Sequence, residues 1–270
     1  MFTPIAFFQS GVVYDSDAQA YINAAGITDD TQKDAVNELI VNLKTHGIWG
    51  TLHAMYPILG GSSQSHSINA KNPGTYNLGF STTGWTHSST GAFGNGVNGQ
   101  GWANTFFLPG SSSTSICLTL YSRRQTGTKD GYAYGVYTAG NNAELNGIPL
   151  LPSNNTSYAS FGAPPASFVT TTGKTASGLW AFQHSGGSTT LHKNGAQLAT
   201  GVRTRINPTA SIHMNCLFRP NLGPAASRYD AVATIEWAFA SIGTSLTGTS
   251  HSRLWDSVTT FQQKLNRTAI

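Results

Sequence analysis

The run Ala231-Val-Ala-Thr-Ile-Glu-Trp-Ala-Phe-Ala-Ser-Ile-Gly243 is the feature that most constrains this chain, because it is long, apolar and rich in strand-forming residues. It leads through Ser245-Leu246-Thr247 into a segment whose apolar residues Leu254, Val258, Phe261 and Leu265 recur at i, i+4, i+7 and i+11, one stripe at helical period. Thr247 or Thr249 offers the N-cap. The pattern predicts a final sandwich strand that hands over to one closing helix. Upstream, Thr189-Thr-Leu-His-Lys-Asn-Gly-Ala-Gln-Leu198 reads as a hairpin whose Asn194-Gly195 pair suits a type I′ turn.

The N-terminal part reads differently. Residues 1–14 are predicted to be an extended apolar arm, followed by a helix from Ser16 that stops at Gly26, a residue suited to the left-handed position after a helix end. Thr28 can cap a second helix, with Asp29 and Asp30 in its first turn and an apolar face of Ala35, Val36, Leu39, Ile40 and Leu43. The stretch Ile48–Leu59 is compatible with helix or strand, and Pro57 favours an ending there.

After Gly60-Gly61 the chain becomes a series of short apolar or alternating runs separated by Gly, Asn, Ser and Pro. Strands are expected within Tyr76–Phe80, Ala103–Leu108, Ser115–Tyr121, Tyr132–Tyr137, Ser157–Phe161, Ser167–Thr172, Gly178–His184, Thr189–Lys193, Ser211–Phe218 and Ala231–Ile242. That spacing argues for an all-β sandwich over an α/β plan. Residues 1–60 therefore form an arm and helical region, and 61–270 the sandwich with its closing helix. Gly84–Gly101 is predicted to be a long loop.

With 39% hydrophobic and 11% aromatic residues the chain has enough to bury, and the 10% charged content describes neutral polar loops rather than disorder. The net charge of +4 is unevenly spread: six acids face two bases up to His46, whereas no acid lies between Glu144 and Asp230. Arg203 and Arg205 in that acid-free stretch are candidate contacts for an anionic partner, set against scattered surface cations with no partner at all. Cys117 and Cys216 sit in separate apolar runs and read as buried free thiols, with a bridge between neighbouring strands as the alternative. No stretch approaches a membrane helix, and the apolar N-terminus lacks the basic start of a secretory signal, so membrane insertion and ordinary export are not expected.

The order of a Lys-Asn-Gly hairpin, a Phe-Ala-Ser-Ile-Gly strand and a short helix resembles the concanavalin A-like, or laminin-G-like, jelly roll. That family includes glucanases, and the resemblance implies that a catalytic copy carries paired carboxylates, in laminarinase-type relatives as Glu-x-Asp-x-x-Glu on one strand. A glycosidase needs two carboxyl groups about 5–10 Å apart. From residue 60 onward the only acids are Asp130, Glu144, Asp230, Glu236 and Asp256, and no two share a strand at short spacing. The expectation is a non-enzyme with no metal and no cofactor, since the histidines are scattered and Asn95, Asn98 and Asn104 bring no carboxylate to a calcium site.

Surface recognition remains. The stretch Gly84–Trp102 sets Trp85 and Trp102 among small polar groups, with His87, Asn95 and Asn98 between them. Such a set can form a sugar platform, the indole faces stacking on C–H groups while the amides hold hydroxyls. The same tryptophans can equally be pegs that pin a Gly-rich loop to the sandwich.

Finally, Tyr14–Lys33, Gly47-Ile-Trp49, Gly84-Trp-Thr-His-Ser-Ser-Thr-Gly-Ala92 and Phe239-Ala-Ser-Ile-Gly243 together resemble virion surface proteins of bacteriophages, especially those of Bacteroidota hosts. The resemblance implies a virion structural protein (decoration, fibre, spike or tail-associated subunit) at the virion surface, with other virion proteins and its own copies as partners. It further implies glycan binding or host adhesion, and no nucleic acid partner. A carbohydrate-active enzyme or free lectin of the same fold is the alternative.

Overall fold

The computed structural model describes residues 13–95, 103–105, 115–126, 132–138, 142–151, 155–161, 168–202, 213–216 and 234–267. Its strands make two antiparallel sheets. The larger has eight strands, in the order β13 (Ala196–Val202), β12 (Ser188–Lys193), β11 (Gly178–Ser185), β6 (Ser115–Gln125), β15 (Ile235–Gly243), β4 (Gly91–Gly94) and β3 (Trp85–Ser88), with β1 (Leu52–Tyr56) also on β15. The smaller runs β10 (Phe168–Thr172), β9 (Thr156–Phe161), β8 (Asn142–Leu151), β7 (Tyr132–Thr138), β14 (His213–Cys216), β5 (Ala103–Asn104) and β2 (Gly79–Phe80). The chain is thus mainly β with few helices, as expected.

Strand β15 is the organiser. It pairs with β6 along one edge, while its other edge is long enough to hold two short strands, β4 at Glu236 and Trp237 and β1 at Ala240–Gly243. Every residue of β15 is buried. Its Ile235, Trp237, Ala240 and Ile242 join Leu118, Leu120, Trp180 and Phe182 of the larger sheet and Ala103, Ala159 and Val169 of the smaller in one core between the sheets. A register shift between Trp237 and Phe239 turns Ala238 and Phe239 to the opposite face.

That opposite face is roofed by helices α1 (Ser16–Ala25), α2 (Asp30–Thr45) and α4 (Ser250–Lys264), which share a second core with Cys117, Tyr121, Leu179, Ala181 and Phe239. The larger sheet is therefore sandwiched between helices and the smaller sheet. The helices form where the apolar periodicity placed them. Gly26 closes α1 at φ 65°, but α2 is capped by Asp29, whose side chain accepts from the Gln32 N–H at 2.8 Å, rather than by Thr28. Thr249 is the N-cap residue of α4, without a side-chain cap bond. Stretch 48–59 resolves into one 3-10 turn, Trp49–Thr51, followed by β1, so the N-terminal region contributes a strand to the larger sheet. A short helix α3 (Ser63–Ser67) follows.

Two local predictions end differently. Asn194 and Gly195 both have positive φ (50° and 79°), as the type I′ turn requires, and Asn194 Oδ1 accepts from the Leu179 N–H at 3.0 Å. The expected loop from Gly84, by contrast, begins with a hairpin: β3 and β4 pair from Trp85↔Gly94 to Ser88↔Gly91. Glycine hides this strand from a propensity reading, yet Gly91 is there for proximity, since a Cβ would lie 2.3 Å from the Trp237 carbonyl oxygen. Cys117 is a buried free thiol with its pKa raised by burial to about 12; the Cys216 side chain, the arm before residue 13 and the rest of the glycine-rich stretch from 96 to 102 lie outside the described residues.

Candidate functional site

The two sheets end on the same side in their edge strands, β3 and β2, and aromatic side chains close the gap between them. Phe80 of β2 meets Trp85 edge-on at 5.1 Å and His87 at 4.8 Å between ring centroids. Trp85 and His87 stack at 6.1 Å, as neighbours two apart on one strand face must. Trp85 also packs edge-on to the buried Trp237 at 5.6 Å. Trp85 is only half-buried, so its ring is both a peg in the core and part of the surface.

His87 is half-buried too, and its Nδ1 lies 2.9 Å from Nδ1 of the buried His66 on α3. One of the two must donate and the other accept, so at least one is neutral. Burial depresses both, His66 to about 3 with the charges of His87 and Arg267 adding to the effect, so both rings are neutral at pH 7. Asn95 follows β4 and is exposed, its N–H bonded to the Gly84 carbonyl at 2.9 Å across the open end of the hairpin. Thr86 between the two rings is also exposed. The structure thus brings Trp85, His87 and Asn95 to one hairpin. Asn98, Trp102, Arg203 and Arg205 lie outside the described residues.

Beside this hairpin, on β15, sits the one buried acid among the described side chains of the sandwich. Glu236 accepts from Thr90 Oγ1 (2.7 Å), Arg123 Nη1 (2.7 Å) and Arg124 Nε (2.6 Å). The register of β15 with β6 and β4 makes the cluster, setting Glu236 opposite Arg124 and Phe93. Burial pushes its carboxyl up, but the Thr90 hydroxyl and the two guanidinium groups outweigh that and hold it below the usual range. A carboxylate so engaged cannot serve as a general acid at neutral pH. His66, Phe80 and this cluster escaped sequence reasoning because their partners come from distant strands. Among the described residues no group of three metal-ligating side chains converges. What the edge can do is stack on an apolar ring face and exchange hydrogen bonds through neutral groups.

No protein-family model matches the chain, and no curated protein matches it in sequence. Solved structures do match in shape. Trypanosoma rangeli sialidase in complex with 2,3-difluorosialic acid superposes with TM-score 0.54 at 11% identity, over 86% of this chain and 39% of that one. Domain 4 of AbnA, a GH43 extracellular arabinanase from Geobacillus stearothermophilus, in complex with arabinotriose, superposes with TM-score 0.52 at 14% identity, over 77% of this chain and 98% of that one. The binding domain of botulinum neurotoxin DC in complex with SialylT gives TM-score 0.51 at 10% identity, over 78% and 52%. At these identities the likeness is one of fold, and the chain spans about 39% of the sialidase chains. These findings overturn the expected phage virion structural protein. The matched folds belong to proteins that act on or hold carbohydrate, and none of these neighbours is a virion component. The expected virion partners and virion-surface location have no other support.

Proposed function

We propose that this chain is a carbohydrate-binding module, a jelly-roll β-sandwich that holds an oligosaccharide without cleaving it. The observation that supports this most is the extent of the likeness to the arabinanase domain: 98% of a domain held in complex with arabinotriose is matched. The chemistry of the β3–β4 edge agrees. Trp85 is partly exposed, with the neutral His87 stacked beside it on the same strand face and Asn95 exposed at the end of the hairpin, groups that suit stacking on a sugar and hydroxyl bonding. A neutral oligosaccharide suits neutral groups better than an anionic one does.

The binding reading is preferred to an enzymatic one because Glu236 is held as a carboxylate by three donors and is no general acid at neutral pH. A glycan array probed with the whole chain, followed by titration of the best oligosaccharide, tests the proposal. Binding should weaken at least ten-fold in His87→Ala and Asn95→Ala while the melting temperature stays within a few degrees. Binding unaffected by either change would remove the site from this edge, and release of reducing ends from the bound glycan would make the chain an enzyme.

A further inference from the structure

The short helix α3 fixes one ring behind the β3–β4 edge. Ser62 caps it reciprocally, its hydroxyl accepting from the Ser65 N–H and its own N–H donating to Ser65 Oγ, each at 3.1 Å. The Ser67 carbonyl accepts from the Leu78 N–H at 2.8 Å, which ties the helix to the approach of β2. His66 is thereby held 1% exposed against the half-buried His87, their ring planes inclined by 58° and their Nδ1 atoms 2.9 Å apart. Phe80 at 4.8 Å and Trp85 at 6.1 Å hold the His87 ring from other sides. His87 thus spends Nδ1 on His66 and has Nε2 left for other partners.

A single proton lies between the two Nδ1 atoms when both rings are neutral. Either way of placing it puts one ring in each tautomer, so the intrinsic preference of imidazole cancels and the surroundings decide. If His87 donates, His66 must carry its own proton on Nε2, which is buried with no hydrogen-bond partner among the described residues. If His66 donates, that same buried atom is a bare lone pair. A sealed N–H is the costlier orphan, and in folded proteins orphaned N–H groups are rarer than under-satisfied acceptors. The half-buried His87, by contrast, can satisfy an Nε2–H with water or a bound molecule.

We propose that His66 is a positioning residue: it donates its Nδ1 proton to His87 Nδ1 and so fixes His87 as an Nε2–H donor toward the ligand. The inference rests on the carbohydrate-binding reading and gives that edge a chemical preference. At His87 the sugar must supply an oxygen that accepts. A ring, glycosidic or hydroxyl oxygen does so, whereas the ammonium of an unacetylated amino sugar, a donor only, is refused there.

Nitrogen-15 spectra of the whole chain, labelled at histidine and free of glycan, test the placement of the proton. It should show its one-bond coupling to His66 Nδ1 and the smaller coupling across the hydrogen bond to His87 Nδ1, with His87 Nε2 protonated. Saturation with the tightest-binding oligosaccharide of the array should slow exchange of the His87 Nε2 proton. His66→Asn keeps a donor in place and should bind that oligosaccharide within about two-fold of the parent, while His66→Leu should bind it about ten-fold more weakly. Because His66→Leu risks failing to fold, the spectra of the unaltered chain decide. A proton bonded to His87 Nδ1, or a His87 Nε2 signal indifferent to saturating oligosaccharide, overturns the inference. The expected tautomer in a chain that binds no oligosaccharide upholds the proton's placement and overturns the glycan reading instead.

Discussion

The imidazoles of His192 and His251 lie face to face, their ring centroids 3.6 Å apart and their planes inclined by 12°. One comes from β12 and the other from the first turn of α4, so the pair fastens the closing helix to the sheet. Burial lowers each to about 4, and for His251 the neighbouring His192 adds to the effect. Two neutral rings stack; two charged ones repel.

Acid should therefore loosen the fold well above the carboxylate range. The folded pKa lies below the unfolded value near 6.5, so the unfolded chain takes up protons first as pH falls. Stability is intact above about pH 6.5 and declines toward pH 4, with a loss of about 3 kcal/mol for one such histidine. Urea unfolding between pH 8 and 4 measures it. His192→Gln with His251→Gln should make the profile shallower, the remaining slope coming from His66 and His87, and an unchanged profile would show that the pair is not a source of it.

Glu236→Gln separates structure from catalysis. Removing the charge leaves Arg123, 13% exposed, and Arg124 without their common partner. We expect a loss of about 3 kcal/mol in urea unfolding and no change in glycan affinity at temperatures where the variant is folded.

Gly91→Ala tests how tightly the hairpin is held. The added methyl would sit 2.3 Å from the Trp237 carbonyl oxygen, so β4 must move off β15 at a cost of about 1–3 kcal/mol. Near-ultraviolet circular dichroism should register the altered Trp85–Trp237 contact, and an unperturbed spectrum with full stability would contradict the packing described.

Deleting residues 1–47 removes α1 and α2 and uncovers the outward apolar face at Tyr121, Ala181 and Phe239. The shortened chain should aggregate or lose much of its stability, measured by light scattering and thermal melts. A monomer as heat-stable as the parent would mean that the roof is dispensable.

Much of this architecture was legible because it follows from local pattern. The β15 run, the α4 stripe and the Asn194-Gly195 turn each declare themselves in their own residues. The β3–β4 hairpin did not, since glycine lowers strand propensity and the need for Gly91 lies in Trp237, more than a hundred residues away. Strand β8 was passed over for a similar reason: Asn146-Gly147-Ile148-Pro149 looks like a turn, and pairing with β7 and β9 overrides it. Of the candidate site, Trp85, His87 and Asn95 were readable as types suited to sugars. Their grouping with Phe80 and His66 depends on where two sheet edges end. Nothing in the sequence marks Arg267 as buried, because a lone arginine near a chain end is ordinarily solvated.

The pairing of β1 with β15 joins residues near position 55 to residues near 241. During synthesis, the first strand of the sheet and its helices must wait for nearly the whole sandwich to emerge before they find their neighbour. Such a long loop to close makes folding slow and leaves apolar strands uncovered in the meantime. A ribosome stalled short of residue 235 would carry a chain whose central strand is missing. Chaperone engagement in the cell should accordingly persist until β15 has left the ribosome.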